Sequence, residues 1–252
     1  MASLFKIRWK RLGLAVAILA FSTAVAVSQV KVTIDHNAGK AATSAFKFKN
    51  VPSPVKDNAA AKATLKLVVG RADGNSAGLQ ALTDGVLPEN DDDPSSNFFF
   101  NAGSDGGRFL LDLGTSLEIA QVNTYSWHPN TRGPQVYNLF ASDGTDATFN
   151  PAPDSHTDPA SCGWRLIATV DTRPAHGPNG GQYGVSVSDT GGKLGKFRYL
   201  LFDSIPTEYD DPWGNTFFSE VNVITQGQSL QSATGKTETP RAKSQERRLP
   251  AR

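Results

Sequence analysis

The chain carries one cysteine, Cys162, in 252 residues, so no internal disulfide framework can hold it together. Cohesion has to come from apolar packing, with a bound ion as the one other staple. Cys162 is read as a buried small hydrophobe, with an intermolecular bridge as the alternative. There are four histidines, His36, His128, His156 and His176, and none is paired at metal-ligand spacing. A Gly-x-Ser-x-Gly elbow, a phosphate loop and a dinucleotide fingerprint are all absent. Gly191-Gly-Lys193 lacks the flanking spacing of a phosphate loop and reads as a turn. Acid pairs such as Asp210-Asp211 arise by chance in a chain rich in surface acids. No catalytic residue is therefore predicted, and the chain is not read as an enzyme. Beyond residue 79 helical periodicity is missing as well.

Excess positive charge is also missing where a nucleic-acid partner would need it. The formal net charge is +1, but Lys6, Arg8, Lys10 and Arg11 give residues 1–28 a charge of +4. Residues 226–252 carry another +4, which leaves −7 on the stretch between. An acidic body excludes phosphate backbones as the main partner.

The four early cations precede an apolar run over 12–27, with small residues offering cleavage after Ala26 or Ser28. Transmembrane helices need about 20 apolar residues, so a cleavable export signal over 1–28 is predicted. An uncleaved anchor is the alternative and the only expected membrane contact. The expected location is secreted, periplasmic or in the cell envelope. Residues 29–225 make one domain, and 226–252, without aromatics or apolar clusters, a disordered basic tail.

Within the domain, short apolar runs alternate with turn formers. Val30-Lys-Val-Thr-Ile34 and Thr64-Leu-Lys-Leu-Val-Val69 have the two-residue period of strands. Val51-Pro-Ser-Pro-Val55 cannot be an interior strand, because its prolines remove ladder donors. Residues 58–62 suit a short helix. Further strands are predicted at 109–114, 122–125, 136–140, 164–170, 197–202 and 218–221, and Phe98-Phe-Phe100 is read as a core strand end. Asp84-Gly85, Asp105-Gly106-Gly107, Asp143-Gly144, Gly180-Gly181 and Gly191-Gly192 supply the positive φ angles of tight reversals. The 150–163 loop, with three prolines, is expected on the surface.

The order Leu82-Thr-Asp-Gly85, Phe109-Leu-Leu-Asp-Leu-Gly114, Val122-Asn-Thr-Tyr125, Arg132-Gly133, Val136-Tyr137, Ser142-Asp-Gly144, the Trp164 strand, Phe197-Arg-Tyr-Leu200 and Glu220-Val221 resembles the discoidin, or coagulation-factor C-type, domain. This galactose-binding-like group includes a large carbohydrate-binding-module family. The resemblance covers residues 79–225. It implies an all-β fold, an antiparallel β-sandwich of jelly-roll type, mostly non-catalytic, that binds glycans, lipid head groups or proteins through loops at one end. Residues 30–78 lie outside the motif set and are expected to add strands to the same sandwich. An insertion containing Glu89-Asn-Asp-Asp-Asp93 departs from the family pattern.

The resemblance also implies a structural calcium ion held by Asp84 and Glu220 with turn carbonyls. Asp91, Asp92 and Asp93 are either additional ligands or a solvated loop. The plainer reading has Asp84 bonding its own turn and Glu220 on a solvated edge. The segment Ser126-Trp-His-Pro-Asn-Thr-Arg-Gly133 falls where the family places a recognition loop. Trp127 is expected as a sugar platform, with His128, Asn130 and Arg132 as donors and Trp213 on the same rim. A Trp127 that fills the core and an Arg132 paired internally are the competing readings. The leading function is binding of a carbohydrate or another cell-envelope ligand. A protein-interaction role in the envelope and polysaccharide hydrolysis are the alternatives.

Overall fold

The computed structural model describes residues 29–177, 179–210 and 213–228. The export-like segment 1–28 and residues 229–252 of the tail lie outside the described residues. The first tail residues differ from expectation. Residues 226–228 take a helical turn in which Gln228 Oε1 accepts from Thr225 N at 3.1 Å and its Nε2 donates to Asp57 O.

Eight strands follow in order: β1 Val30–Asn37, β2 Thr64–Val69, β3 Gly107–His128, β4 Val136–Ser142, β5 Arg165–Asp171, β6 Gly181–Asp189, β7 Gly195–Ser204 and β8 Phe218–Thr225. All their pairings are antiparallel. The two strands expected at 109–114 and 122–125 are one 22-residue strand, β3. Its first part, 107–112, lies between β2 and β7, and β7 continues to β4 and β5. Its last part, 119–128, lies between β6 and β8, with β1 beyond β6. The register against β7 slips between Asp112 and Leu117, where Gly114 has φ +78° and its N–H donates to Asp112 Oδ1 at 2.8 Å. β3 thus turns the corner between a five-stranded and a four-stranded sheet.

The inward faces of both sheets share one core. Phe109, Leu111, Tyr137, Leu139 and Phe202 come from the five-stranded sheet, and Val122, Val185, Val187, Val221 and Val223 from the other. Phe109 stacks on Phe202 at 4.8 Å within its sheet and meets Phe218 edge-on at 5.8 Å across the gap. Phe98 and Phe100 are buried against this core through isolated bridges, as a strand end would be. The result is the expected antiparallel sandwich of jelly-roll type, with β1 and β2 as the added edge strands. The short helix at 58–62 is a 3-10 turn, Ala59–Lys62, capped by Asn58 Oδ1 on Ala60 N. Trp164 sits just before β5, its buried indole donating to Asn150 O at 2.8 Å. Cys162 is half-buried beside Trp164, which matches the burial reading in part.

A second, smaller core lies on the outer face of the four-stranded sheet. Tyr125 and Trp127 of β3 point outward there, opposite Gly184 and Gln182 of β6. A belt of chain over 38–55 covers them with Phe46, Phe48 and Val51. The belt has no ladder of its own, and side chains hold it instead. Asp35 accepts from Asn50 N and Val51 N, Asn37 donates to Lys47 O, Gln182 donates to Thr43 O, and Tyr125 OH donates to Pro52 O. Phe46 adopts φ +44°, a left-handed conformation that costs a bulky residue energy. Edge contacts to Trp127 at 5.8 Å and Tyr125 at 6.4 Å offset that cost. Replacing it, as Phe46→Ala, is expected to lower the unfolding free energy in urea by about 3–5 kcal/mol. A loss below about 1 kcal/mol would show that the belt contributes little.

Candidate functional site

The loops 38–50, 86–97, 129–135, 172–180 and 205–217 connect strand ends at one pole of the sandwich. Segment 129–135 is pinned at its centre. Gly133 N donates to Asn130 O, Phe217 N donates to Arg132 O at 2.9 Å, and Ser126 Oγ donates to Gly133 O at 2.6 Å. Thr207 Oγ1 donates to Thr131 O at 2.5 Å, so the 205–217 loop is fastened to the same turn.

The expected recognition residues separate on this frame. Trp127 is only 6 % exposed, packed edge-on against Phe46, which corrects the expectation of a flat sugar platform. The cause is the β-strand alternation that turns it to the outer face, where the belt covers it. His128 is buried as well, its ring 4.7 Å from Phe217 and its Nδ1 accepting from Asn130 N. Burial, aided by the Arg132 charge, pulls its pKa down to about 4, so it stays neutral at physiological pH. Asn130 is exposed. Arg132 is half-buried, and its guanidinium lies 4.1 Å from the Phe217 ring centre and 4.5 Å from that of Phe99. Those two rings stack on each other at 4.1 Å. Arg132 thus lies as a cation over an aromatic stack, and its Nε donates to Asn215 O at 3.4 Å. Trp213 stands 6.0 Å from that guanidinium and is 52 % exposed. Tyr209, which sequence reasoning missed, is the most exposed large aromatic among the described residues, at 74 %.

Beside segment 129–135 opens a recess of about 510 Å³. Its lining includes Trp127, Pro129, Gly180 and Gly181 and, from the acidic insertion, Glu89, Asn90 and Asp91. The acidic insertion, whose plainer reading was a solvated loop, thus borders this recess. The carboxylates of Glu89 and Asp91 have no hydrogen-bond or ion-pair partner among the described residues. The only hint in the sequence is the position of the insertion, directly after the Asp84-Gly85 turn.

Asp84 and Glu220 do come together. Glu220, on β8, is 1 % exposed and accepts from Gly85 N at 3.2 Å and from Asn222 Nδ2 at 3.1 Å. It is not the solvated edge residue of the plainer reading. Burial first, and the Asp84 charge second, push its pKa up to about 8. Asp84 also closes its own turn by accepting from Val86 N at 2.8 Å. Among the described residues, no three His, Cys, Asp or Glu side chains converge, so Asp91, Asp92 and Asp93 do not join this pair. Asp93 instead accepts from Ser95 Oγ. No helix among the described residues is long and apolar enough to cross a membrane.

No protein-family model matches the chain, and no curated protein matches it. Solved structures with a partial likeness include chitosan-binding module 1 from a Paenibacillus sp. IK-5 chitosanase/glucanase. It is 15 % identical, with a TM-score of 0.42 over 66 % of this chain and 98 % of that one. The lectin domain of lectinolysin, complexed with Lewis B antigen, is 13 % identical, with a TM-score of 0.43 over 67 % of this chain and 96 % of that one. The family 32 CBM of Clostridium perfringens NanJ, in complex with galactose, is 13 % identical, with a TM-score of 0.41 over 64 % and 93 %.

Because His128 binds its proton less readily folded than unfolded, stability is expected to fall as pH drops from 6.5 towards about 4. His128→Asn, which keeps an acceptor for Asn130 N, should flatten the melting temperature over that window. An unchanged slope in the variant would assign the acid sensitivity to other groups.

Proposed function

We propose that the chain is a non-catalytic module that binds a carbohydrate in the recess beside Trp127. The observation that carries this reading is the recess itself. Trp127, the carboxylate residues Glu89 and Asp91, Asn90 and the glycines Gly180 and Gly181 line one space. Sugars present hydroxyl donors on an apolar ring, and acceptors opposite an aromatic edge answer both features. The half-exposed Trp213 supplies a further stacking surface on the same pole. Export through residues 1–28 to the periplasm, cell envelope or exterior belongs to the same proposal. A few such contacts give weak affinity at one site, so firm attachment would draw on several copies.

Glycan-array binding of the full chain tests it. Asp91→Ala should weaken the best ligand at least tenfold, in keeping with about 1.5–3 kcal/mol for a hydrogen bond to a charged group. Trp213→Ala should weaken it less. Failure to bind any glycan, or indifference to Asp91→Ala, removes the recess from the function.

We further propose that Asp84 and Glu220 hold a structural calcium ion together with turn carbonyls. Its support is a buried carboxylate beside a second carboxylate, an arrangement that a divalent cation would relieve. Calcium should raise the melting temperature of the chain and leave Asp84→Asn and Glu220→Gln unmoved. Equal melting in calcium and in chelator would end this assignment.

A further inference from the structure

Each of the two sheets has two rim strands, and three of the four are blunted against further pairing. β2 and β5 each carry an extra residue in the ladder, Val68 and Ile167, and such bulges bend a rim away from a straight template. On β8 the rim is met by side chain and loop. Val223 N donates to Asn58 Oδ1 at 3.1 Å, and Asn222 Oδ1 accepts from Val55 N at 2.7 Å. β1 has neither device. Its eight pairs with β6 run from Val30 to Asn37 without a slip, and it holds no proline or glycine. Half of a strand's backbone groups point away from its neighbour, and on β1 these meet no other backbone among the described residues. Val30 and Ile34, on the face of Val185 and Val187, are 38 % and 40 % exposed.

The side chains of β1 say what can lie along that rim. Lys31, Thr33 and Asp35 share the outer face, opposite Ser188, Ser186 and Gly184. Among the described residues Lys31 has no ion-pair or hydrogen-bond partner. The Asp35 carboxylate is fixed by Asn50 N and Val51 N but has no cation at ion-pair distance. On β5, by contrast, Asp171 is already held by Arg173. β1 therefore offers one unmatched cation and one unmatched anion, four positions apart, on an otherwise neutral rim.

An antiparallel partner has to set like faces opposite each other. A second β1 does so when a twofold axis passes through one residue. With the axis at Thr33, Lys31 of each copy lies opposite Asp35 of the other, and Val32 opposite Ile34. Axes at Val32 or Ile34 would set both charges against neutral residues. The strand is thus self-complementary in one register, as an isologous contact requires.

We propose that β1 pairs antiparallel with β1 of a second copy about an axis through Thr33, which joins two four-stranded sheets into one. The two loop poles then point in opposite directions, because β1 runs towards that pole at Asn37. On the recess reading, such a pair would bridge two glycans instead of gripping one surface twice. The bridging rests on that reading, and the pairing does not.

Sedimentation equilibrium and thiol cross-linking of the full chain test this. The parent should dimerise reversibly below about 100 μM. In a Cys162→Ser background, Thr33→Cys places the only thiol on the axis, so a short bis-maleimide should capture a covalent dimer. Thr169→Cys, on exposed β5, should stay uncoupled. Lys31→Glu sets two like-charged pairs across the seam and should weaken the dimer at least about tenfold, whereas Lys31→Arg should keep it. A chain still monomeric at about 100 μM overturns the proposal. So does a dimer that fails to couple through Thr33→Cys or ignores Lys31→Glu, since its seam then lies elsewhere, residues 1–28 included. Neither readout uses a sugar, so failure of glycan binding removes the recess reading and leaves this one standing.

Discussion

Everything in this molecule depends on one strand belonging to two sheets. Residues 107–112 of β3 hydrogen-bond to β2 and β7, and residues 119–128 to β6 and β8. The slip between Asp112 and Leu117, eased by the left-handed Gly114, lets a single backbone serve both layers. Because the layers are joined covalently at this corner, Phe109 and Val122, thirteen positions apart, enter the same core from opposite sides. The strand also delivers Trp127 and His128 to the loop pole, so the site inherits its position from the corner.

Burial at that pole has shaped the chemistry as much as exposure has. Thr124 Oγ1, Gln135 Oε1 and Tyr137 OH form a closed polar cluster inside the sandwich, and Gln135 Nε2 reaches Ser126 Oγ and Tyr183 O. Such a fully paired network fixes where segment 129–135 leaves the core. The Arg132 guanidinium on Phe99 and Phe217 then stiffens the turn from the other side. A ligand would therefore meet a surface that is largely preformed, which spares it the cost of ordering loops.

The sequence was most legible where backbone and side chain agree. Strands with clean alternation, such as Phe197 to Phe202, were visible, as were the Asp-Gly and Gly-Gly reversals, where Gly85, Gly106, Gly144 and Gly192 all have positive φ. Strand β6 escaped notice because Gln182, Gly184, Ser186 and Ser188 dilute its apolar face of Tyr183, Val185 and Val187. Gly184 is small for a packing reason, since a Cβ there would sit 3.0 Å from the Phe48 ring. The belt was illegible for a different reason: side-chain hydrogen bonds scattered across it leave no period. That gap misled the reading of Trp127, whose covering segment lies some eighty residues earlier in the chain. Asp84 and Glu220 were found together because a known motif order paired them.

The pairing of the edge strands has a directional consequence. Val30 begins β1 opposite Asp189, and Thr225 ends β8 opposite Ile119, while Gln121 of β3 pairs with both Ser188 and Ile224. Entry to the sandwich and exit from it therefore fall side by side, at the end remote from Gly181 and His128. The pole that carries the 129–135 turn therefore points away from both ends of the folded body, like the head of a mounted lamp.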